Sequence, residues 1–305
     1  MTLSIEQDLS TIRDWLRYAV SQFEQSDIFY GHGTDNSYDE AVWLIMSALH
    51  LPHDTLNNFL EAHLTAGERS YLLDLITQRI TQHTPTAYLV KEAWLQGFKF
   101  YVDERVIVPR SFIAELLADG LQPWIEYPEL IHSAADICTG SGCLGVLLAN
   151  AFPDAEIDVI DISPDAIAVA NINIANYGLE EQVHAIQSDM FSALSGKTYD
   201  LIISNPPYVD APSMATLPAE YRNEPQLALG SGLAGLDHTH TLLREAADYL
   251  NDDGILVVEI GHNRDALLAA YPELPFTWLD TSSGDQFVFL LTKAQLSEYQ
   301  TEPLH

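Results

Sequence analysis

The larger part of this chain is expected to adopt an α/β fold, a mostly parallel sheet with helices on both faces. Three observations predict it. From Ala134 onward, short strand-like runs alternate with helical stretches; a glycine-rich turn joins the first strand of that series to its first helix; and the chain closes on an antiparallel hairpin. Repeated strand–helix units imply parallel strands, because these need a crossover connection, and the crossover helices then cover both faces.

The elements follow in order. Over residues 1–85 the apolar period is helical. Ile12, Leu16, Ala19, Val20 and Phe23 share one face, a second helix is expected over Tyr38–His50, and Thr65-x-x-Glu68 is a capping box ahead of Tyr71, Leu72, Leu75, Ile76 and Ile80. Residues 86–110 read as a β-hairpin linker carried by Tyr88, Trp94, Phe98, Phe100, Tyr101 and Val106 to Val108, closed by Pro109. The third segment, 111–296, opens with a helix over Ser111–Leu121. It continues with strands at Ala134–Cys138, Ile157–Ile162, Val183–Gln187, Leu201–Ser204 and Ile255–Ile260, and ends with a hairpin over 276–291. Residues 297–305 form a tail.

Composition narrows the class of protein. The 305 residues are 47% hydrophobic, yet no apolar run approaches the roughly 18–20 residues that span a bilayer. The opening MTLSIEQDLS is acidic and polar, unlike a secretory leader. Cys138 and Cys143 are too few for a disulfide framework or a four-cysteine zinc site, so no metal and a reducing, cytoplasmic setting are expected. Lys and Arg number 13 against 44 Asp and Glu, a formal charge of -31. Such a surface repels phosphate backbones and attracts basic partners; a merely well-solvated or salt-adapted surface would look the same.

The first strand leads into Gly140-Ser-Gly142-Cys-Leu-Gly145, a G-x-G-x-x-G run between strand and helix, and Asp161 ends the following strand. Glycines permit a tight turn and close approach of backbone to a ligand, and an acid at that distance accepts from the hydroxyls of an adenosine ribose. Asp136, in the strand itself, favours S-adenosylmethionine over a dinucleotide, because its carboxylate suits an ammonium and a pyrophosphate has no use for it. Asp189 after the third strand suits an adenine amino group, with Met190 over the ring or simply filling the core.

Asn205-Pro206-Pro207-Tyr208 stands at the end of the fourth strand. Prolines fix the chain and lack N–H donors. The Asn205 side-chain oxygen and the Pro206 carbonyl can therefore each accept a hydrogen from an incoming NH2 group, with Tyr208 as an aromatic wall. An amide nitrogen is a poor nucleophile, its lone pair delocalised into the carbonyl. Two acceptors orient it and stabilise the positive charge that develops on it. No general base is evident beside the motif.

At these residues the chain resembles the class I methyltransferases and, more narrowly, the protein glutamine-N5 methyltransferase family. The motifs are Val106-Ile-Val-Pro-Arg110, Asp136-Ile-Cys-Thr-Gly-Ser-Gly142, Asn205-Pro-Pro-Tyr208 and Tyr221-Arg-Asn-Glu-Pro225. Tyr30-Gly-His-Gly-Thr-Asp-Asn36, Asp39-Glu-Ala41 and Phe100-Tyr-Val-Asp-Glu-Arg105 are similar to the subgroup acting on large ribosomal subunit protein three. Two positions depart from the family pattern: Cys138 stands for a glycine, and Ser111-Phe-Ile replaces an acidic–threonine pair. The resemblance implies a seven-stranded Rossmann-like methyltransferase sheet with a C-terminal antiparallel hairpin and an N-terminal domain that decides the substrate. It implies that S-adenosylmethionine is lined by Asp136, Cys138, Thr139, Gly140, Ser141, Gly142, Asp161, Ile162, Asp189, Met190 and Asn205. The substrate glutamine is expected at Asn205, Pro206, Pro207 and Tyr208, with catalysis resting on Asn205, Pro206 and Tyr208, and with Arg110, Tyr221, Arg222 and Glu224 contacting the peptide. The implied partner is the basic ribosomal protein, met before ribosome assembly, with no stable nucleic-acid or membrane binding.

Rival readings remain at this point. A release-factor glutamine methyltransferase would carry the same motifs. A nucleic-acid adenine N6-methyltransferase would use the same Asn-Pro-Pro-Tyr geometry but needs a basic surface. An NAD-dependent oxidoreductase or a non-enzymatic binding module leaves that motif without a use.

Overall fold

The computed structural model describes residues 5–301. Its contacts divide into two compact units, one made of the described part of Met1–Ala93 with Val102–Glu104 and Pro218–Glu224, the other of Trp94–Tyr101, Arg105–Leu217 and the described part of Pro225–His305.

The first unit is helical. Helices over Ile12–Glu24, Ser37–Ala48 and Ala66–Thr81 close a core of Trp15, Leu16, Phe23, Leu44, Ile45, Leu72, Leu75 and Ile76. Thr65 and Glu68 form the expected capping box, and Thr11 with Asp14 forms a second one, each satisfying N–H groups that a helix start leaves without partners. Tyr71, expected on the apolar face, is exposed.

At the centre of this unit Arg79 is buried. Its Nε donates to Glu40 at 2.7 Å, Nη1 to Glu220 at 3.0 Å and Nη2 to the Phe29 carbonyl at 3.0 Å. Thr86 and Thr34 hydroxyls donate to Glu40. Burial works against the charge on Glu220, but the Phe29 N–H, Arg79 and His83 outweigh it and hold that carboxyl below its ordinary range. Paired and hydrogen-bonded charges are the form in which ions persist away from water.

The expected linker hairpin is shorter than its strand-forming residues suggest. Strands β1 (Ala93–Leu95) and β2 (Phe98–Phe100) pair as a two-stranded sheet. Thr86–Val90 is a helix, ended by Lys91 in the left-handed conformation, and Val106 to Val108 belong to no strand. Thr86 and Tyr88 are buried there, so tertiary packing overrides their local preference.

The second unit is a seven-stranded sheet with the expected mixed pairing. Its strands are β3 (Ser133–Ile137), β4 (Glu156–Asp161), β5 (Val183–Gln187), β6 (Tyr199–Ser204), β7 (Leu250–Glu259), β8 (Thr277–Thr281) and β9 (Gly284–Thr292), in the order β5-β4-β3-β6-β7-β9-β8. Pairings from β5 through β7 are parallel, and β9 runs antiparallel to both β7 and β8. Period-two alternation divides the core. Ala134, Leu201, Ile203, Ile255 and Val257 face the helices Ile113–Ala118, Cys143–Ala151 and Pro164–Asn176, while Ala135, Ile137, Ile202, Leu256 and Val258 face the helix Asp237–Tyr249.

The remaining differences are at boundaries. The helix expected over Ser111–Leu121 spans Ile113–Ala118. Asn251 to Gly254, ahead of the strand expected over Ile255–Ile260, lie inside β7, which begins at Leu250. The first part of the expected tail is the end of a helix over Lys293–Thr301, and 302–305 lie outside the described residues.

Candidate active site

Parallel strands β5, β4, β3 and β6 lie side by side, so the chain leaves all four at one edge of the sheet, where ligands of open α/β sheets bind. Each exit carries residues singled out from sequence: Asp189 and Met190 after β5, Asp161 and Ile162 at β4, Cys138 to Gly142 after β3, and Asn205 to Tyr208 after β6.

The loop after β3 is built by backbone geometry. Cys138, Gly140 and Gly142 have φ of 64°, 56° and 78°. A side chain on Gly142 would press Ala170, its Cβ 3.0 Å from that methyl group. At Gly145 a Cβ would stand 2.2 Å from Val159, so this glycine seats the helix Cys143–Ala151 on the sheet. The three glycines therefore serve the turn, the close approach and the helix packing in succession. Asn173 fastens the same loop, its amide donating to the Ser141 carbonyl at 2.8 Å.

Asp161 is tied to this loop. One carboxylate oxygen accepts from the Gly140 N–H at 2.9 Å and the other from the Ser163 N–H at 2.9 Å. Burial pushes its carboxyl up, opposed by these backbone donors. Each oxygen keeps a second lone pair, enough for two ribose hydroxyls. Ile162 follows as an exposed apolar side chain, suited to a flat ring.

Asp136 is fully buried on the side of the sheet that carries Cys143–Ala151. Burial pushes its carboxyl up to about 7; the Thr139 hydroxyl and the Gly145 N–H act against that rise, and the charge of Asp161 adds to it. Thr139 donates to its Oδ2, while Oδ1 makes no well-aligned hydrogen bond. A buried carboxylate oxygen without a full partner, beside a glycine loop, fits a cofactor bearing an ammonium group. Cys138 Sγ lies 3.8 Å from Met190 Sδ, joining the exits of β3 and β5. Met190 itself has φ of 47° and is buried.

At the exit of β6, Ser204 donates to the Ile137 carbonyl at 2.6 Å, locking this strand end to β3. Pro206 and Pro207 are buried; Asn205 and Tyr208 are half-buried. Asn263 Nδ2 donates to the Tyr208 carbonyl at 2.6 Å, and the Tyr208 hydroxyl points to Glu259 at 3.4 Å. Glu259 also receives Ser111 Oγ at 2.7 Å and the Phe112 N–H at 2.8 Å. Burial pushes its carboxyl up to about 7, opposed by those donors. His238 is pushed down by burial and faces the Pro207 carbonyl.

Sequence reasoning passed over Glu259, Asn263 and His238. A lone acid at a strand end, an asparagine in a loop and a histidine opening a helix carry no motif; only proximity to Tyr208 and Pro207 singles them out. Arg110 is half-buried in the second unit, with Nη1 3.5 Å from the Val108 carbonyl. Tyr221, Arg222 and Glu224 fall in the first unit, apart from Asn205 to Tyr208 in the division of contacts. There Tyr221 packs on Phe29 and on His32, and His32 Nε2 lies 3.5 Å from Glu224.

Comparison with known proteins adds sequence likeness to this geometry. The family model described as Methyltransferase small domain matches residues 114–218. The chain is 61% identical over 290 residues to the ribosomal protein uL3 glutamine methyltransferase of Neisseria gonorrhoeae, covering 95% of this chain and 97% of that one. It is 52% identical over 293 residues to the protein of the same name from Burkholderia pseudomallei, covering 94% and 95%. With the one from Bordetella pertussis identity is 51% over 291 residues, covering 95% and 98%.

Proposed function

This chain belongs to the family of ribosomal protein uL3 glutamine methyltransferases, and from that premise we propose that it transfers a methyl group from S-adenosylmethionine to the side-chain amide nitrogen (N5) of a glutamine in uL3. The observation that carries the reading is the adjacency of β3 and β6, which puts the glycine loop and Asn205-Pro-Pro-Tyr208 at neighbouring strand exits.

The residues divide the work. Gly140 and Gly142 admit the cofactor close to the backbone, Asp161 accepts from its ribose, Ile162 and Met190 flank its adenine with Asp189 at the amino group, and Asp136 with Thr139 supports the loop from beneath. When bound, S-adenosylmethionine supplies an electrophilic methyl group on a sulfonium. Asn205 and the Pro206 carbonyl accept the two amide hydrogens, turn the nitrogen lone pair toward the cofactor side and stabilise the charge it gains. Tyr208 and Pro207 wall the planar amide and exclude water. Arg110, in the same unit as Asn205 to Tyr208, is assigned to the peptide around the glutamine.

The acidic surface supports a basic protein partner, steered by charge, rather than a phosphate backbone. The target side chain must enter a site walled by prolines, which favours uL3 free in the cytoplasm before assembly. Labelled methyl transfer to purified uL3, a release factor and DNA, with mass spectrometry of the product, tests the reading. A methyl group on a uL3 glutamine is expected. Label on the release factor instead would keep the chemistry and change the substrate, and label on DNA would overturn both.

A further inference from the structure

Glu259, the last residue of β7, and Gly261 and Asn263 in the turn after it meet Tyr208 at three different places. Glu259 Oε1 faces its hydroxyl at 3.4 Å. Gly261, with φ of 54°, lies against the ring so closely that a Cβ there would stand 2.6 Å from Cε2. Asn263 Nδ2 donates to the Tyr208 carbonyl at 2.6 Å. The strand's last residue and the turn that follows it thus hold the phenol, the ring face and the backbone carbonyl of a single residue. A second glycine, Gly235, closes on the same carbonyl, its Cβ position only 2.3 Å from that oxygen.

The fold alone gives Glu259 little reason to be acidic. Its Oε2 satisfies Ser111 and the Phe112 N–H, which an amide oxygen would serve as well, and a fully buried carboxyl is costly to keep. The oxygen left over is the one that faces the phenol. At 3.4 Å that hydrogen bond is long for two oxygens, so it has room to shorten when the ring is pressed from the other side.

We propose that Glu259, Gly261 and Asn263 form a positioning cradle that sets the Tyr208 ring against the substrate amide, with Glu259 gripping the phenol. The cradle rests on the assignment of Asn205 to Tyr208 as the glutamine site. Glu259 touches no reacting atom; it acts through Tyr208. Its removal should leave substrate and cofactor binding in place while the amide loses its fixed wall, so the loss falls on kcat.

The test is a double-mutant cycle on the full-length protein, measuring kcat and KM for methyl transfer to purified uL3 and Kd for S-adenosylmethionine by calorimetry. Glu259→Ala should lower kcat about tenfold, as expected for losing a hydrogen bond to a charged group, with cofactor Kd changed less than about twofold. Tyr208→Phe should lower kcat in the same direction, and the double variant should be no worse than the poorer single one. Glu259→Gln should recover most of the alanine loss, since its amide can serve Ser111, Phe112 and the phenol together. Losses that multiply, or a loss confined to cofactor affinity, would overturn the cradle. If Glu259→Ala does not fold, Glu259→Met, which fills the same space without a carboxylate, carries the same comparison: added to Tyr208→Phe it should cost no further kcat, and a further loss overturns the idea. A wild-type protein that labels no uL3 glutamine overturns the functional reading and the cradle with it; one that labels uL3 while the two losses multiply overturns the cradle alone.

Discussion

Arg79 and Glu220 form a buried ion pair at 3.0 Å across 141 positions of sequence. The pair brings Pro218–Glu224, a segment flanked on both sides by the sheet-bearing unit, into the helical unit. Glu40 accepts from the same guanidinium, so one cation serves two carboxylates.

Arg79→Met should therefore be severe. It leaves Glu40 and Glu220 buried without their cation, a loss of about 3–5 kcal/mol. Adding Glu220→Gln should return part of it. Denaturant midpoints for the three proteins check this, and a single variant as stable as wild type would contradict the buried-pair reading.

Asn205→Ala should lower kcat by about 10²–10³-fold, the range for removing one preorganised partner of developing charge. Kd for S-adenosylmethionine should stay near the wild-type value. An equal loss of cofactor binding would place Asn205 on the cofactor and take it off the amide.

Asp161→Ala should weaken S-adenosylmethionine binding by about 2–4 kcal/mol in calorimetry, since it removes a charged acceptor and releases the Gly140 N–H together. Asp161→Asn, which keeps one acceptor, should lose less. Unchanged affinity in the alanine variant would remove Asp161 from the ribose.

Asp136 makes stability depend on pH. Its carboxyl is raised from an ordinary 3.8 to about 7, chiefly by burial, so the folded chain holds that proton more tightly than the unfolded one. The stability it contributes is full below about pH 4 and is lost as pH rises through about 7. Asp136→Asn does not ionise and still accepts from Thr139. Its melting temperature relative to wild type should climb between pH 4 and 7 and level off above. A pH-independent difference would show that Asp136 stays charged throughout.

What the sequence revealed follows from how local each signal is. The capping box at Thr65 and Glu68 lies within one turn, and the glycines after β3 are set by their own backbone conformation, so both were legible from neighbours alone. The unbroken apolar runs Leu201 to Ile203 and Ile255 to Val258 placed buried strands correctly, although polar Asn251 to Gly254 hid the start of β7. Thr86–Val90 misled because β-branched and aromatic residues favour strands, while Thr86 is held by a hydrogen bond to Glu40, 46 positions away. The residues proposed for the cofactor and the amide carried motifs; Glu259 and Asn263 did not, because their partner Tyr208 lies more than 50 positions earlier. Arg79 reads as an ordinary basic residue near a helix end until Glu220 is brought to it.

The return of Pro218–Glu224 to the helical unit sets an order in time. A ribosome releases Arg79 and Glu40 long before it has made Glu220, and at about 5–20 residues per second the 141 intervening positions take roughly 7–30 s. Through that interval the nascent N-terminal helices hold an arginine awaiting one of its two carboxylates, so the first segment to emerge is among the last to complete its core. A cut at residue 85 would make that wait permanent, with Glu220 stranded on the remaining chain.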